Sequence, residues 1–487
     1  MNVFGVENFG LNAGFDGLNG QDPKFYHGLP ALEEVRKAMD AGHGVPTYAG
    51  GGTASPLFRQ EIIDQLIVQT EHVGMARFWN QVWKNSKPAN NTVVEYRKQT
   101  GVGDPFANIS QAEGSAGPTI DSTFTTHYQK MRWIAEQRSM TMVAELVQNS
   151  LAAGGSVKSQ IVQDANTHIS NRLEQLMFYG DSTVNSYSID GLKKFVTDAV
   201  SANLNNNAAW QVVDKRGANL SMSEVGMSQV AVHDNVFERL ATQLWAPTMV
   251  GQIFADEHGD RVKAMYNAGQ EIPRQAGAAV KQILTQMGQV DVNYSYFLSP
   301  TRKKLVHVAA TSSTAPAAPT ETSIVAGADA ASKFAAADAA TYNYSVVAVG
   351  NTLYSGASAP TAFTPVVVAE GEKVTITIAA TANTGVQFYN IYRDYRGAGD
   401  KYLIGQVACA GGVTETTFVD YNEEIPGTAD AFLLDPSPDV VMWREMMPYS
   451  MIPLPQVQLT RPFAFALFGC AINGLPALVR FKNVKCS

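Results

Sequence analysis

Charged side chains make up only 16% of the 487 residues, well below the roughly 25% usual in soluble domains. A surface so thinly charged is easily buried against other subunits, so an assembly is expected rather than a monomer. What charge there is leans acidic, with 44 Asp and Glu against 36 Lys and Arg and a net charge of −8. That balance argues against a protein that grips nucleic acid by neutralising phosphates. Cysteine is scarce as well: Cys409, Cys470 and Cys486 are odd in number and have no CxxC spacing. Neither a disulfide framework nor a zinc site is supported, and reduced cytosolic thiols are expected. The first ten residues lack a basic segment followed by an apolar run, so they do not read as a secretory signal. No apolar stretch reaches the roughly 18 residues that cross a bilayer. The expectation is a soluble protein made in a cytosol, without membrane contact. Gly-x-Ser-x-Gly, His-Glu-x-x-His and P-loop patterns are missing too, so no enzyme, no catalytic residue, no cofactor and no metal are expected.

Length alone predicts two or three domains. Residues 1–55, rich in Gly, Asn and Pro, read as an N-terminal arm with one short helical candidate, Pro30–Asp40, and Gly50-Gly51-Gly52 in a tract with no core of its own. Leu57, Ile62, Leu66, Ile67 and Val73 suggest an amphipathic helix, leading into a strand near Ala76–Val82; His72 reads as structural. Strand-like runs at Thr92–Gln99 and Thr123–Met142 flank a segment carrying Gly101, Gly103, Pro105, Gly114, Gly117 and Pro118, which predicts a long hairpin over 92–142. Neither face of its return strand alternates cleanly, and an isolated two-stranded ribbon needs support, so it is expected to lie on a neighbouring chain. Met222–Gly251 reads as helical until Pro247. Asp256, Glu257, His258 and Asp260 group acidic ligand types without the spacing of a calcium loop, so a solvated acidic turn is expected. Asn293–Pro300 and Arg302–Val308 read as strands, and the basic run Arg302-Lys303-Lys304 as a solvated loop.

Composition shifts at Ala309–Ala340 to Ala, Thr, Ser and Pro, which is linker chemistry. Beyond it Tyr342/Tyr344/Val346, Val374/Ile376/Ile378, Gln387–Arg393, Tyr402–Val407 and Thr416–Asp420 are short, regularly spaced strands, a pattern that predicts a β-sandwich. Tyr344-Ser-Val-Val-Ala-Val and Tyr389-Asn-Ile-Tyr-Arg resemble strands of fibronectin type III and related immunoglobulin-like modules, which imply a binding or spacing module and no chemistry. From Phe432 onward, Met442–Met447, Phe463–Gly469 and Leu478–Val484 read as strands that cannot form a free core. They are expected to rejoin the earlier domain, which makes the sandwich an insertion.

The stretch Met140–Val196 organises the chain. Val157, Ile161, Ala165, Ile169, Leu173 and Met177 recur every four residues, widened by Val162 and Leu176, as on a helix burying one face. With Ser156 as N-cap and Gly180 as C-cap glycine, the helix would run about 34 Å, at about 1.5 Å per residue. His168 beside the stripe reads as packed or interfacial. Behind it, Leu176-Met-Phe-Tyr-Gly-Asp and Ile189-Asp-Gly-Leu resemble a helix-end signature of the major capsid proteins of tailed bacteriophages, carried by Gly180, Asp181, Asp190, Gly191 and Leu192. The resemblance spans roughly 50–305 and 435–487. It implies an α+β fold of the Hong-Kong-97-like capsid type, with a long spine helix, an extended loop at 92–142, and peripheral and axial domains.

The domain layout implied is a discontinuous capsid-fold domain at 56–310 and 432–487, and a linker with an inserted immunoglobulin-like sandwich at 311–431. Residues near 143–195 with the terminal strands would be peripheral, and 222–305 with part of 435–470 axial. Function by this resemblance is that of a self-assembling subunit of an icosahedral shell, in hexamers and pentamers around double-stranded DNA that it encloses without sequence-specific binding. Scaffolding, portal and cement proteins are the implied partners, with assembly in the host cytoplasm and residence in the virion. No lysine lies between Lys98 and Lys130, so covalent crosslinking at the hairpin tip is not expected. The alternatives are a cell-surface or glycan-binding protein with an accessory sandwich, and another virion component such as a tail-tube or decoration protein.

Overall fold

The structure, a computed structural model, describes residues 73–103, 121–141, 157–201, 208–236, 238–265, 280–351, 356–397, 399–412, 414–455 and 460–486. The expected arm, the helix before Val73, the hairpin tip and Ser156 lie outside these residues. The fold is a mixed one, with few helices and many strands.

Helix α1 (Arg77–Lys84) occupies the place where a strand was expected. Its apolar residues Phe78, Trp79 and Val82 are buried at the three- and four-residue spacing of a helix, which the window Ala76–Val82 was too short to distinguish from alternation. After β1 (Lys87–Pro88), strands β2 (Val93–Gly101) and β3 (Thr123–Lys130) form a two-stranded antiparallel ribbon in register from Val93↔Lys130 to Gly101↔Thr123. The predicted return strand breaks at Met131. Strand β4 (Arg132–Thr141) leaves the ribbon and pairs along its whole length with a strand at 460–473. Half of the expected hairpin is therefore committed within the subunit, with Met140 buried.

Helix α2 (Val157–Tyr179) has the predicted bounds. Ala165, Ile169, Leu173 and Met177 are buried, but so are Ser170, Asn171, Glu174 and Phe178, so its second half is wrapped well beyond the four-residue stripe. Helix α3 (Leu192–Ser201) and β5 (Val212–Asp214) follow. Helix α4 (Met222–Asn235) stops well before Pro247. Ser221 and Glu224 form a capping box at its start, which matches an N-terminal signature, while Leu244 belongs to strand β6 (Gln243–Ala246) rather than to the helix. The acidic group at 256–260 sits inside α5 (Thr248–Met265) and not in a turn, and Glu257 accepts the Met222 amide at 2.9 Å. Strands β7 (Gln282–Thr285) and β8 (Gly288–Tyr294) form a hairpin. Two short 3-10 turns at Tyr296–Leu298 and Pro300–Lys303 replace the strands expected there.

Strand β9 (Glu321–Ala328) opens the sandwich inside the segment expected to be linker. There β10 (Ala340–Tyr342), β11 (Tyr344–Gly350), β12 (Thr361–Ala362), β13 (Val366–Val368), β14 (Glu372–Ile378), β15 (Val386–Asp394), β16 (Lys401–Ala408) and β17 (Thr416–Asp420) complete it. One sheet runs β12-β11-β15-β16, the other β17-β14-β9, with β10-β13 as a separate pair. Alternating inward residues such as Val346, Ile376, Ile378, Tyr389 and Ile391 share one apolar core.

Strands β18 (Ala429–Leu434), β19 (Val441–Pro453), β20 (Thr460–Asn473) and β21 (Leu478–Val484) return to the body. The six-stranded sheet has the order β5-β21-β18-β6-β8-β7, and the four-stranded sheet β1-β19-β20-β4. The partition of the late strands is thus the reverse of the one expected. Leu478–Val484 joins the 212–294 elements, and 441–473 joins β4, above which α2 packs. Both sheets and the helices around them share one core, in which Phe178 stacks on Phe78 (ring centroids 5.2 Å) and on Phe432 (5.8 Å).

Candidate functional site

The structure brings Gly180, Asp181, Asp190, Gly191 and Leu192 together at the end of α2. The Gly191 amide donates to the Gly180 carbonyl at 2.9 Å, and the Gly180 amide to the Leu176 carbonyl at 2.8 Å. Gly180 does not serve as a left-handed C-cap, because its φ is not positive. Glycine is required there for close approach: a Cβ on Gly180 would stand 2.3 Å from the Ile189 carbonyl oxygen, and one on Gly191 2.5 Å from that of Leu176. Two backbone segments thus touch with no side chain between them, and Leu192, fully buried, starts α3 directly under the contact.

Asp190, nearly buried, is the hub of this knot. Its Oδ1 accepts the Ser182 amide at 2.8 Å, and its Oδ2 accepts Gln129 Nε2 from β3 at 2.7 Å. Beside it Arg132 Nε donates to the Ser188 carbonyl at 3.1 Å. Asp181 has a different task, holding its own turn by accepting the Thr183 amide at 2.8 Å. Through Asp190 and Arg132 the end of α2 fixes the foot of the β2–β3 ribbon. The ribbon's inner face begins on the body, with Val94 and Tyr96 against Cys470 and Ile472. Burial, with the nearby Cys470 and Asp190, pushes the Tyr96 phenol up to about 12. Its other face carries Phe124 and Tyr128, both more than 60% exposed.

Two further centres escaped the sequence reading. Glu174 on α2 is fully buried, and its carboxylate accepts the Trp79 amide at 2.6 Å, the Phe78 amide at 3.3 Å and the Ser295 hydroxyl at 3.3 Å. The N-cap position of α1 is Ala76, which has no side-chain acceptor, so Glu174 supplies from another helix the cap that α1 lacks. Burial pushes its pKa up to about 7, although the two amides, Ser295 and Arg77 pull it down. The other centre lies where the sandwich meets the body. Glu424 meets Arg480 at 2.5 Å, Lys193 at 2.9 Å and Lys303 at 3.7 Å, while Asp430 meets Arg480 at 2.6 Å and Lys303 at 2.8 Å. Burial would raise both carboxyls, but Lys193, Arg480 and Lys303 around Glu424, and Arg480 and Lys303 around Asp430, hold them below their usual range. Lys303 is therefore no solvated loop residue, because it is drawn into this cluster. Of its neighbours, Arg302 lies 5.1 Å over the Tyr296 and Phe297 rings and Lys304 pairs with Asp400. A local signal existed only for Glu174, an acid between Leu173 and Met177. The partners of Lys303 are more than a hundred residues distant.

His168, on the half-exposed side of α2, meets Glu136 of β4 at 2.6 Å, as an interlock between helix and sheet. These arrangements hold backbone segments and charges in place, and among the described residues no group of three His, Cys, Asp or Glu side chains is placed to hold a metal. No helix among them is long and apolar enough to cross a membrane.

No family model matches the chain. It is 26% identical over 475 residues to a protein of Enterococcus phage phiEF24C, across 93% of this chain and 95% of that one. Over 477 residues it is 25% identical to the major capsid proteins of Staphylococcus phage S25-3 and Staphylococcus phage K, with the same coverage. The chain is a structural subunit of a phage capsid. Among solved structures, the capsid asymmetric unit of cyanophage A-1(L) aligns over 89% of this chain and 98% of its own at 7% identity and a TM-score of 0.46.

Proposed function

We propose that this capsid subunit adopts a Hong-Kong-97-like arrangement and closes, as hexamers and pentamers, into an icosahedral shell around double-stranded DNA. The observation that carries this reading is similarity to phage major capsid proteins along 93% of the chain. Within it, α2 is the spine helix and the β2–β3 ribbon, clamped at its foot by Asp190, is the extended loop that lies over a neighbouring subunit. The five motif residues act as the joint between spine and loop. The peripheral part comprises α2 with β4, β19 and β20, and the axial part the six-stranded sheet with α4 and α5. The sandwich is an inserted immunoglobulin-like module that projects outward. Many modest interfaces, each on the order of 1,600 Å², multiplied by closed symmetry would hold such a shell. An acidic subunit suits a container that must release its DNA. Scaffolding, portal and cement proteins are the partners this function calls for, and assembly takes place in the host cytoplasm.

Electron microscopy of the expressed full-length protein tests this directly: closed shells are expected. Tubes, or a protein that stays monomeric at all salt and protein concentrations even with scaffold added, would overturn it. A chain lacking roughly Pro316 to Thr428, rejoined by a short linker, should still form shells but without outer protrusions.

A further inference from the structure

We infer that the segment 421–428, leaving the sandwich, and strand β21 form an electrostatic clamp that sets one fixed angle between sandwich and body, beside the cleft that separates them. The cleft measures about 500 Å³. Leu176, Val184 and Phe297 line it from the body, and Phe388, Leu403 and Ile404 from the sandwich. Charged side chains line it too, among them Lys193, Lys303 and Glu424 of the clamp. Beside it Gln387 Nε2 donates to Ser186 Oγ at 3.2 Å, and where the chain enters the sandwich the Leu305 amide donates to the Lys401 carbonyl at 2.8 Å.

At the root the contacts are dense. Arg480 and Lys482 of β21 reach Glu424, Asp430, Glu423 and Asp214. Between them Asn483 accepts the Ile425 amide at 2.8 Å and donates to the Glu423 carbonyl at 2.9 Å and to Asp214 at 2.8 Å. Arg216 donates to the Asn422 carbonyl at 2.9 Å. Arg216, Asn422 and Asn483 all take left-handed backbone (φ 48°, 60° and 55°), which side chains other than glycine adopt where surrounding contacts over-determine the conformation. Above the root, Asn422 also receives Arg393, whose guanidinium is buried in the sandwich 5.1 Å from the Phe334 and Tyr342 rings. The polar network therefore runs unbroken from the sandwich core to β21.

The clamp does not depend on which way the sandwich faces in a shell. It is tested by hydrogen exchange on the full-length chain in two variants. Glu424→Gln with Lys193→Met removes one charge of each sign, leaving Asp430 with Lys303 and Arg480. Lys482→Met weakens the same root from the other side. In either variant, backbone exchange over 421–428 should rise on the order of ten-fold, while the sandwich core strand 374–378 and the body strand 479–481 keep their protection. Electron micrographs of assembled particles should then show smeared sandwich density over a sharp body. Unchanged exchange at 421–428 in both folded variants would overturn the clamp, as would acceleration shared equally by the core strands. If neither variant folds, the cluster belongs to the folding core and not to a clamp, which also refutes the proposal.

Discussion

Glutamine at position 174 should make the subunit more stable at mildly alkaline pH, and the structure sets the size of the gain. The native carboxyl sits at about 7 against 4.5 for the free side chain, so the native state binds this proton more tightly than the unfolded chain does. Its contribution to stability is then fully present below about pH 4.5, falls as pH rises towards 7, and is flat above, with stability decreasing wherever the native state holds the extra proton. The gap between 4.5 and about 7, at about 1.4 kcal/mol per pH unit, amounts to roughly 3–4 kcal/mol. Glutamine keeps one oxygen for the Trp79 amide and can donate to Ser295, but it leaves the longer Phe78 contact unmade, at about 1 kcal/mol. The expected net is a gain of about 2 kcal/mol at about pH 8 and a small loss at about pH 4.5. Urea unfolding at several pH values, followed by tryptophan fluorescence, reads this out, since Trp79 carries one of the bonded amides and Trp245 lies 5.2 Å from Phe78. If Glu174→Gln were destabilised at alkaline pH and the acid-side slope were unaltered, the α1 amides would have to be holding Glu174 ionised, and the reasoning from burial would be wrong.

Gly180→Ala and Gly191→Ala should each cost more than about 3 kcal/mol in thermal or urea unfolding, because the added methyl meets backbone carbonyls that cannot swing away. Ile169→Asp or Leu173→Asp, both buried on α2, should abolish assembly by unfolding the subunit, at above about 3 kcal/mol for an unpaired buried charge; soluble, folded protein by circular dichroism would contradict this. Arg480→Met leaves Glu424 and Asp430 with fewer cations and should cost about 3–5 kcal/mol at neutral pH. The loss should shrink in acid as the two carboxyls protonate, so a deficit that does not vary with pH would count against the charge argument.

The sequence carried the parts whose cause is local. Four-residue recurrence located α2, and short, regularly spaced runs, two of them alternating, located most strands of the sandwich, because a buried face repeats with the geometry of its own element. Where the cause was distant, the reading failed. The late strands were assigned to the wrong sheets because every apolar strand looks alike until a partner selects it. Lys303 read as solvent-facing because Asp430 and Glu424 come together with it only in the fold. Of the motif residues, the juxtaposition of Gly180 with Gly191 was not legible in the sequence, and neither was its physical reason. Glycine alone suggested a left-handed cap, and only the carbonyls of Leu176 and Ile189 reveal that space, and not torsion, is what it provides.

In the six-stranded sheet, β18 pairs with both β6 and β21, and β21 with β5. Strands made before the sandwich therefore wait for strands made after it. A ribosome has to release residues through 484 before that sheet can close, whereas the sandwich, whose strands find their partners within 321–420, can finish earlier. Until then β5 lacks its neighbour and β6 has β8 on one side alone, and Arg480 cannot reach Glu424. The order of translation thus keeps a half-made subunit from presenting a finished body, so that commitment to a shell begins only once β21 has been made.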